Sequence, residues 1–265
     1  MLKVEQQETT HGDGPAAPLN YADYLRVPEI LSLQTPLGPP DAHDEMLFII
    51  LQQVQELWFK QILHELKSII PLLDNGDILG AVRLINRVNA IVRVLADEVG
   101  VLEMMPPQEF ARFRHVLTPA SGFESEQFRE LEFASGLREP SLLKLIERHL
   151  DIERFRADWP VSLREAFVSL LAKVDPDPVQ ALVQVYGKNG VYPLLFTLAE
   201  ALSDYEIEFS LWRFHHVKLV ERAIGDNMPG TAGSSGAGYL GKTLGYRFFP
   251  ELWAARNALT RTIQA

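Results

Sequence analysis

Apolar residues return every three or four positions along most of this chain, the spacing that lines one face of an α-helix. Between Asp44 and Leu73 the series Leu47, Ile50, Leu51, Val54, Leu57, Trp58, Ile62, Leu66 and Ile69 keeps that step. It predicts a helix of about seven turns, with Asp41 as its N-cap after Pro39 and Pro40 and a stop at Asp74, Asn75 and Gly76. A second series from Asp77, through Ile78, Val82, Ile85, Val88, Val92, Leu95, Val99 and Leu102, runs to the break at Pro106 and Pro107. So short a connection predicts that the two helices pack antiparallel. Pro107 to Leu117 reads as a third, short helix, Thr118 to Gly122 as a turn, and Glu124 to Leu137 as a fourth helix. Shorter helical pieces are expected at Ser141–Leu150, Ser162–Val174 and Val179–Tyr186, divided by Trp159-Pro160 and by Asp175-Pro176-Asp177-Pro178. No strand-like alternation and no internal repeat interrupts this pattern. The expected architecture is one all-α domain over residues 19–265, a helical bundle, preceded by a polar, Gly/Pro-rich disordered tail over residues 1–18.

The segment from Tyr192 to Ala223 is the most informative. Leu198, Leu202, Tyr205, Phe209, Trp212, His216, Leu219 and Ala223 alternate steps of four and three, a seam that faces the interior of a bundle. His216 therefore occupies a core position, while His215 is turned about 100° toward a flank. An imidazole in a seam is either a packed neutral side chain or a metal ligand. The remaining histidines, among them His43, His64, His115 and His149, show no HxxxH or HExxH spacing, which argues against a multi-histidine zinc site. A single axial bond to a haem iron suits one isolated histidine better, because the porphyrin supplies four ligands itself.

Composition narrows the chemistry. The 265 residues include 47% hydrophobic and 23% charged side chains, an ordinary globular balance. A formal charge of -10 repels phosphate backbones, so no nucleic-acid partner is expected. The absence of cysteine removes disulfides, thiolate metal sites and thiol catalysis. No apolar run approaches the roughly 20 residues of a membrane span, and with no secretory start the expected compartment is the cytoplasm.

Three further features bear on a site. On the first helix Phe48, Gln52 and Phe59 lie apart from the Leu47, Val54, Leu57 seam, so this helix is either packed all round or closes a cavity with Gln52 as its polar tip. Phe110 and Arg114 stand one turn apart, and Arg114 is either a solvated side chain or a fork for a carboxylate. The glycine-rich stretch Gly225–Gly238 is either a surface loop or an anion-cradling one. Within it Gly236 to Thr243 matches the letters of a phosphate-binding loop. A long helix rather than a strand precedes it, which rejects nucleotide binding.

Taken together, Asp44-Glu45-Met46-Leu47-Phe48-Ile49-Ile50, Glu56-Leu57-Trp58-Phe59-Lys60, Phe113-Arg114, Ser121-Gly122-Phe123, Leu211-Trp212-Arg213-Phe214-His215-His216, Gly230-Thr231-Ala232-Gly233-Ser234-Ser235-Gly236 and Phe248-Phe249-Pro250-Glu251-Leu252-Trp253 resemble the tryptophan 2,3-dioxygenase family. The resemblance spans about residues 19–135 and 195–255. It implies a homotetrameric enzyme whose bundle encloses a haem b pocket and which oxidises the indole ring of tryptophan with O2. It implies that His216 is the axial ligand, that Arg114 meets the substrate carboxylate, and that Thr231 meets the amino-acid head group as the loop closes. Phe48 and Phe110 become walls of the indole pocket, and Phe113, Ser121 and Gly122 become neighbours of the cofactor. Tyr21, Tyr24 and Leu25 become an element inserted by a neighbouring subunit. The chain departs from the family pattern at Gln52, where a distal histidine is usual, in a shorter central region over residues 138–190, and in one extra residue within Asp226–Pro229. Gln52 can accept a hydrogen bond from an indole N–H but cannot take its proton near neutral pH.

The leading expectation is ring cleavage of L-tryptophan or a close derivative to an N-formylkynurenine-type product. The alternative within the same chemistry is insertion of one oxygen atom, giving a 2-oxindole or hydroxylated product. A cofactor-free helical scaffold, with His216 merely packed in the core, is the alternative from a different class.

Overall fold

The computed structural model describes residues 19–187, 190–231 and 236–264. The tail over residues 1–18 and residues 232–235 of the glycine loop, both singled out by the sequence, lie outside that set. The chain falls into two compact units, Met1–Thr35 and Pro36–Ala265. The first carries α1 (Tyr21–Leu25) and α2 (Val27–Ile30), neither of which buries a residue. Asn20 caps α1 by accepting from the Asp23 amide at 3.0 Å.

The second unit contains α3 (Glu45–Asp74), α4 (Ile78–Leu102), α5 (Pro107–Phe113), α6 (Glu126–Ser135), α7 (Pro140–Ile146), α8 (Ile152–Asp158) and α9 (Leu163–Leu171). After these come α10 (Pro178–Gly187), α11 (Pro193–Ile224), α12 (Ala237–Thr243) and α13 (Pro250–Gln264). Among the described residues there is no strand, so the fold is all-α.

Three long helices build the frame. α3 and α4 are antiparallel: the Trp58 indole N–H donates to Glu98 at 3.1 Å toward one end, and Arg87 pairs with Glu65 at 2.9 Å toward the other. Asp77 starts α4 by accepting from the Gly80 amide at 2.9 Å. α11 runs beside α4 in the same direction, fixed where the buried Asn89 amide donates to the Ala201 carbonyl at 3.0 Å and where Arg93 pairs with Glu208 at 2.8 Å. α6 lies against α3, with Phe59 and Phe128 ring centres 5.2 Å apart and with Ser125 and Gln127 donating to the Glu56 carboxylate. Along the shared core Leu66, Ile69, Ile85, Val88, Leu198 and Leu202 are fully enclosed. Each such side chain stabilises the fold by about 1.5–3 kcal/mol.

Several expectations shift. Leu57 and Ile50, placed by periodicity in the buried seam of α3, are 57% and 42% exposed. The buried arc is instead Leu51, Gln55, Phe59, Ile62, Leu66 and Ile69, because α3 is apolar on two sides and only one of them is covered within this chain. Asp41 does not cap α3: Asp44 occupies the cap position without a side-chain bond, and Asp41 pairs with Arg112 of α5. The third helix tightens after Phe113 into a 3-10 turn over Arg114–Leu117. Helices α8, α12 and α13 were not foreseen; α8 buries only Ile152 and Phe155, too few positions to show a period.

Candidate functional site

The C-terminal half of α11 meets α6 in a cluster of aromatic and charged side chains. The Trp212 ring lies 5.6 Å from the His216 ring and 4.9 Å from Phe128, both as centre separations. The Arg129 guanidinium sits 4.6 Å over Phe128 and 5.2 Å over Phe123. Arg129 is paired with Glu132 at 2.8 Å, and the other Glu132 oxygen accepts from Arg213 at 3.0 Å. All three charged side chains are buried.

Desolvation, and secondarily the positive charge of Arg129, pushes the His216 pKa down to about 4. At neutral pH the imidazole is therefore uncharged, with one nitrogen lone pair available. Buried donors of the cluster, Trp212 Nε1, Arg129 Nε and Arg213 Nε, have no hydrogen-bond partner among the described residues. Two guanidinium groups share the Glu132 carboxylate, and Arg213 also faces the buried Glu206 carboxylate. A donor buried without a partner calls for an acceptor.

These features discriminate among metals. Among the described residues no group of three or more His, Asp or Glu side chains can hold a metal ion. A metal bound through His216 must bring its other donors with it, as a porphyrin does. A neutral imidazole beside unpartnered buried N–H groups fits an iron porphyrin, whose carboxylate side arms would accept from them.

The second half of the site lies between α3, α5 and the loop after α11. Phe48, Phe110 and Phe113 form an aromatic triad with ring centres 5.9, 5.6 and 5.4 Å apart. Phe113 is fully enclosed, together with Ala42, Leu51, Leu102 and Met105, whereas Phe48 and Phe110 are half-buried at the edge of this cluster. Leu219, one turn beyond His216, packs against both this cluster and the main core. Arg114, immediately after α5, lines a pocket of about 320 Å³ with Ala111, His115, Thr118, Gly230 and Thr231. Its guanidinium donates to the Pro229 carbonyl, and the Thr231 hydroxyl donates to the Ala120 carbonyl at 2.5 Å. The two residues that the sequence singled out for a head group thus also fasten the loop down.

Other sequence-selected residues stand apart. Gln52 is exposed on α3, one turn after Phe48. The Ser121 hydroxyl accepts from the Phe123 amide at 3.2 Å and caps a short turn, while a side chain at Gly122 would meet nothing within 4 Å. Tyr21 and Tyr24 are 77% and 72% exposed and Leu25 39% exposed, all on α1 in the first unit. Gly236 to Thr243 is a loop end followed by α12, and the Thr243 hydroxyl is spent on the Leu240 carbonyl at 2.6 Å. Sequence reasoning missed Arg129, Glu132 and the Trp212 N–H. Every residue from Phe128 to Ser135 is buried, yet the run Phe-Arg-Glu-Leu-Glu-Phe reads as an amphipathic surface helix, so only its enclosure marks it.

A family model described as tryptophan 2,3-dioxygenase matches residues 5–160 and 178–259. The chain belongs to the tryptophan 2,3-dioxygenase family. Among the relatives named tryptophan 2,3-dioxygenase, one from a Nocardioides species is 41% identical over 256 residues, covering 92% of this chain and 96% of its own. One from Herpetosiphon aurantiacus is 42% identical over 261 residues, covering 91% and 98%. One from Kineococcus radiotolerans is 38% identical over 264 residues, covering 91% of both. Tryptophan 2,3-dioxygenases are haem-dependent oxidoreductases as a family, a cofactor to which the His216 cluster is chemically suited. The stretch outside the family match, residues 161–177, holds α9 and the start of the Asp-Pro turn before α10. No helix among the described residues is long and apolar enough to cross a membrane.

Proposed function

We propose that this chain is a haem-dependent dioxygenase that cleaves the indole ring of L-tryptophan, or a close derivative, with O2 to an N-formylkynurenine-type product. The observation that carries the reading is the neutral, ligand-competent imidazole of His216 beside buried donors that nothing among the described residues satisfies. His216 would hold the iron of haem b, and Arg129 and the Trp212 N–H would donate to its carboxylate side arms. When bound, the haem supplies an iron centre at which O2 is activated next to the indole.

The chain's own side chains do the rest. Arg114 takes the substrate carboxylate in a charge-assisted pair and Thr231 takes the ammonium, which fixes the amino acid at the loop. Phe48 and Phe110 wall the indole, and the carbonyl oxygen of the Gln52 amide accepts from its N–H. Phe113 would back the cofactor from beneath Phe48 and Phe110, and Ser121 and Gly122 would border it from the turn after α5. Tyr21, Tyr24 and Leu25 complete the pocket of a neighbouring subunit in a cytoplasmic homotetramer. Apolar residues left exposed on α3 and α11, such as Leu57, Leu211 and Phe214, support such an assembly. Fastening the loop through Arg114 and Thr231 excludes water from the reacting centre.

Reconstitution with hemin followed by turnover of L-tryptophan under isotopically labelled O2 tests the reading by mass spectrometry. Both atoms in one product, with no reductant consumed, is the expected result. Incorporation of one atom with stoichiometric demand for reductant overturns dioxygenation, and an unchanged Soret band in His216→Ala overturns the axial role.

A further inference from the structure

We infer that Glu45 and Gly38 are positioning residues for amino-acid binding: together they set Arg114 where a carboxylate can meet it. The inference rests on the reading of Arg114 as that carboxylate's partner. Glu45 opens α3, and its buried carboxylate turns back to accept from the Leu37 amide at 2.7 Å and the Gly38 amide at 2.8 Å. These two charge-assisted bonds tie residues 37 and 38 across the start of the helix.

The tied backbone rests on α5. A side chain at Gly38 would begin 2.8 Å from Cβ of Phe113 and 2.7 Å from Oε2 of Glu45, so there is no room for a methyl group. Phe113 is the last residue of α5, and Arg114 follows it directly. Three residues further along the tied segment, Asp41 pairs with Arg112. Residues 112 and 113 are therefore both gripped by residues 38–41, on the turn that leads into Arg114. The same Phe113 holds Phe48 at 5.6 Å and Phe110 at 5.4 Å, so the spacing between the aromatic wall and the guanidinium is set by one contact. Neither Glu45 nor Gly38 lines the pocket of Arg114 and Thr231. Their effect on binding passes through α5.

The test measures equilibrium binding to the haem-loaded full-length protein with two probes, L-tryptophan and 3-methylindole, which lacks the amino-acid head group. Gly38→Ala is expected to weaken L-tryptophan about tenfold, because a displacement of a fraction of an ångström spoils a charged fork, and to weaken 3-methylindole much less, because an apolar wall tolerates the same shift. Glu45→Gln, whose amide oxygen retains one of the two backbone bonds, is expected to give a smaller loss of the same kind. In an Arg114→Ala background neither substitution should weaken L-tryptophan further. Unaltered L-tryptophan binding in both variants, equal losses for the two probes, or a full additional loss on top of Arg114→Ala overturns the inference. Should Gly38→Ala not fold, Glu45→Gln carries the same three outcomes. If Arg114→Ala alone keeps full affinity for L-tryptophan, the reading of Arg114 fails and the inference falls with it, a result distinct from the other three.

Discussion

The two halves of α11 carry seams of the same spacing and reach opposite states. From Leu198 to Phe209 the seam is sealed: Leu198, Leu202, Tyr205 and Phe209 are fully enclosed, and Tyr205 shares a buried hydrogen bond of 2.6 Å with Ser135. From Trp212 to Ala223 enclosure gives way to partial burial. There an indole N–H goes unpaired and an imidazole is held uncharged. In the sealed half the buried donors are matched, Ser203 to the Ala199 carbonyl and Tyr205 to Ser135, and one oxygen of Glu206 is left unpaired among the described residues. A half-helix that leaves donors buried and unsatisfied, at the same periodicity, is arranged around something the described residues do not provide.

The contrast can be broken most severely at the sealed end. Leu202→Ala should destabilise the protein by about 2–5 kcal/mol, read as a lowered midpoint in denaturant; a midpoint within error of wild type would mean that this half is no more tightly packed than the other. The next effect belongs to His216. Its pKa is about 4 in the folded chain against 6.5 ordinarily, so as pH falls from 6.5 toward 4 protons bind the unfolded chain first and stability drops, while above 6.5 the imidazole contributes no slope. Thermal melts of the haem-free protein across that window should be flatter for His216→Phe, and coincident slopes would show the imidazole to be freely protonated. Smaller again, Tyr205→Phe removes one hydroxyl from a satisfied pair and should destabilise by about 1 kcal/mol. Last, Trp212→Phe removes an N–H with no partner among the described residues, so the haem-free protein should lose only the packing of the missing ring, while hemin retention in competition with apomyoglobin weakens. Hemin retention equal to that of the unsubstituted protein would mean that the indole N–H does not meet the cofactor.

Much of the frame was legible in the sequence. The paired long helices, their antiparallel packing around Asn75–Asp77 and the core role of Leu198, Leu202, Tyr205 and Phe209 follow from period and turn chemistry. What periodicity could not do was choose between the two apolar faces of α3, and it placed Leu57 inside when it lies outside. It also took Asp41 for a cap when the side chain reaches Arg112, a partner 71 positions away that no local pattern reveals. At the site, single residues such as His216 and Arg114 stood out because their type was odd for their position or because the motif around them matched a family. Arg129 and Glu132 did not, since a charged pair three apart on a helix is ordinarily a solvated one. Only the packing of α6 against α3 and α11 turns it inward.

The acceptor that fastens Arg114 to the loop is the backbone carbonyl of Pro229 rather than a side chain. Every residue type offers the same oxygen at that point. The sequence between Gly225 and Gly230 can therefore drift widely among descendants of this chain without loosening the clasp, provided the path of the main chain is kept, whereas an insertion or deletion of a single residue would move the oxygen and undo it.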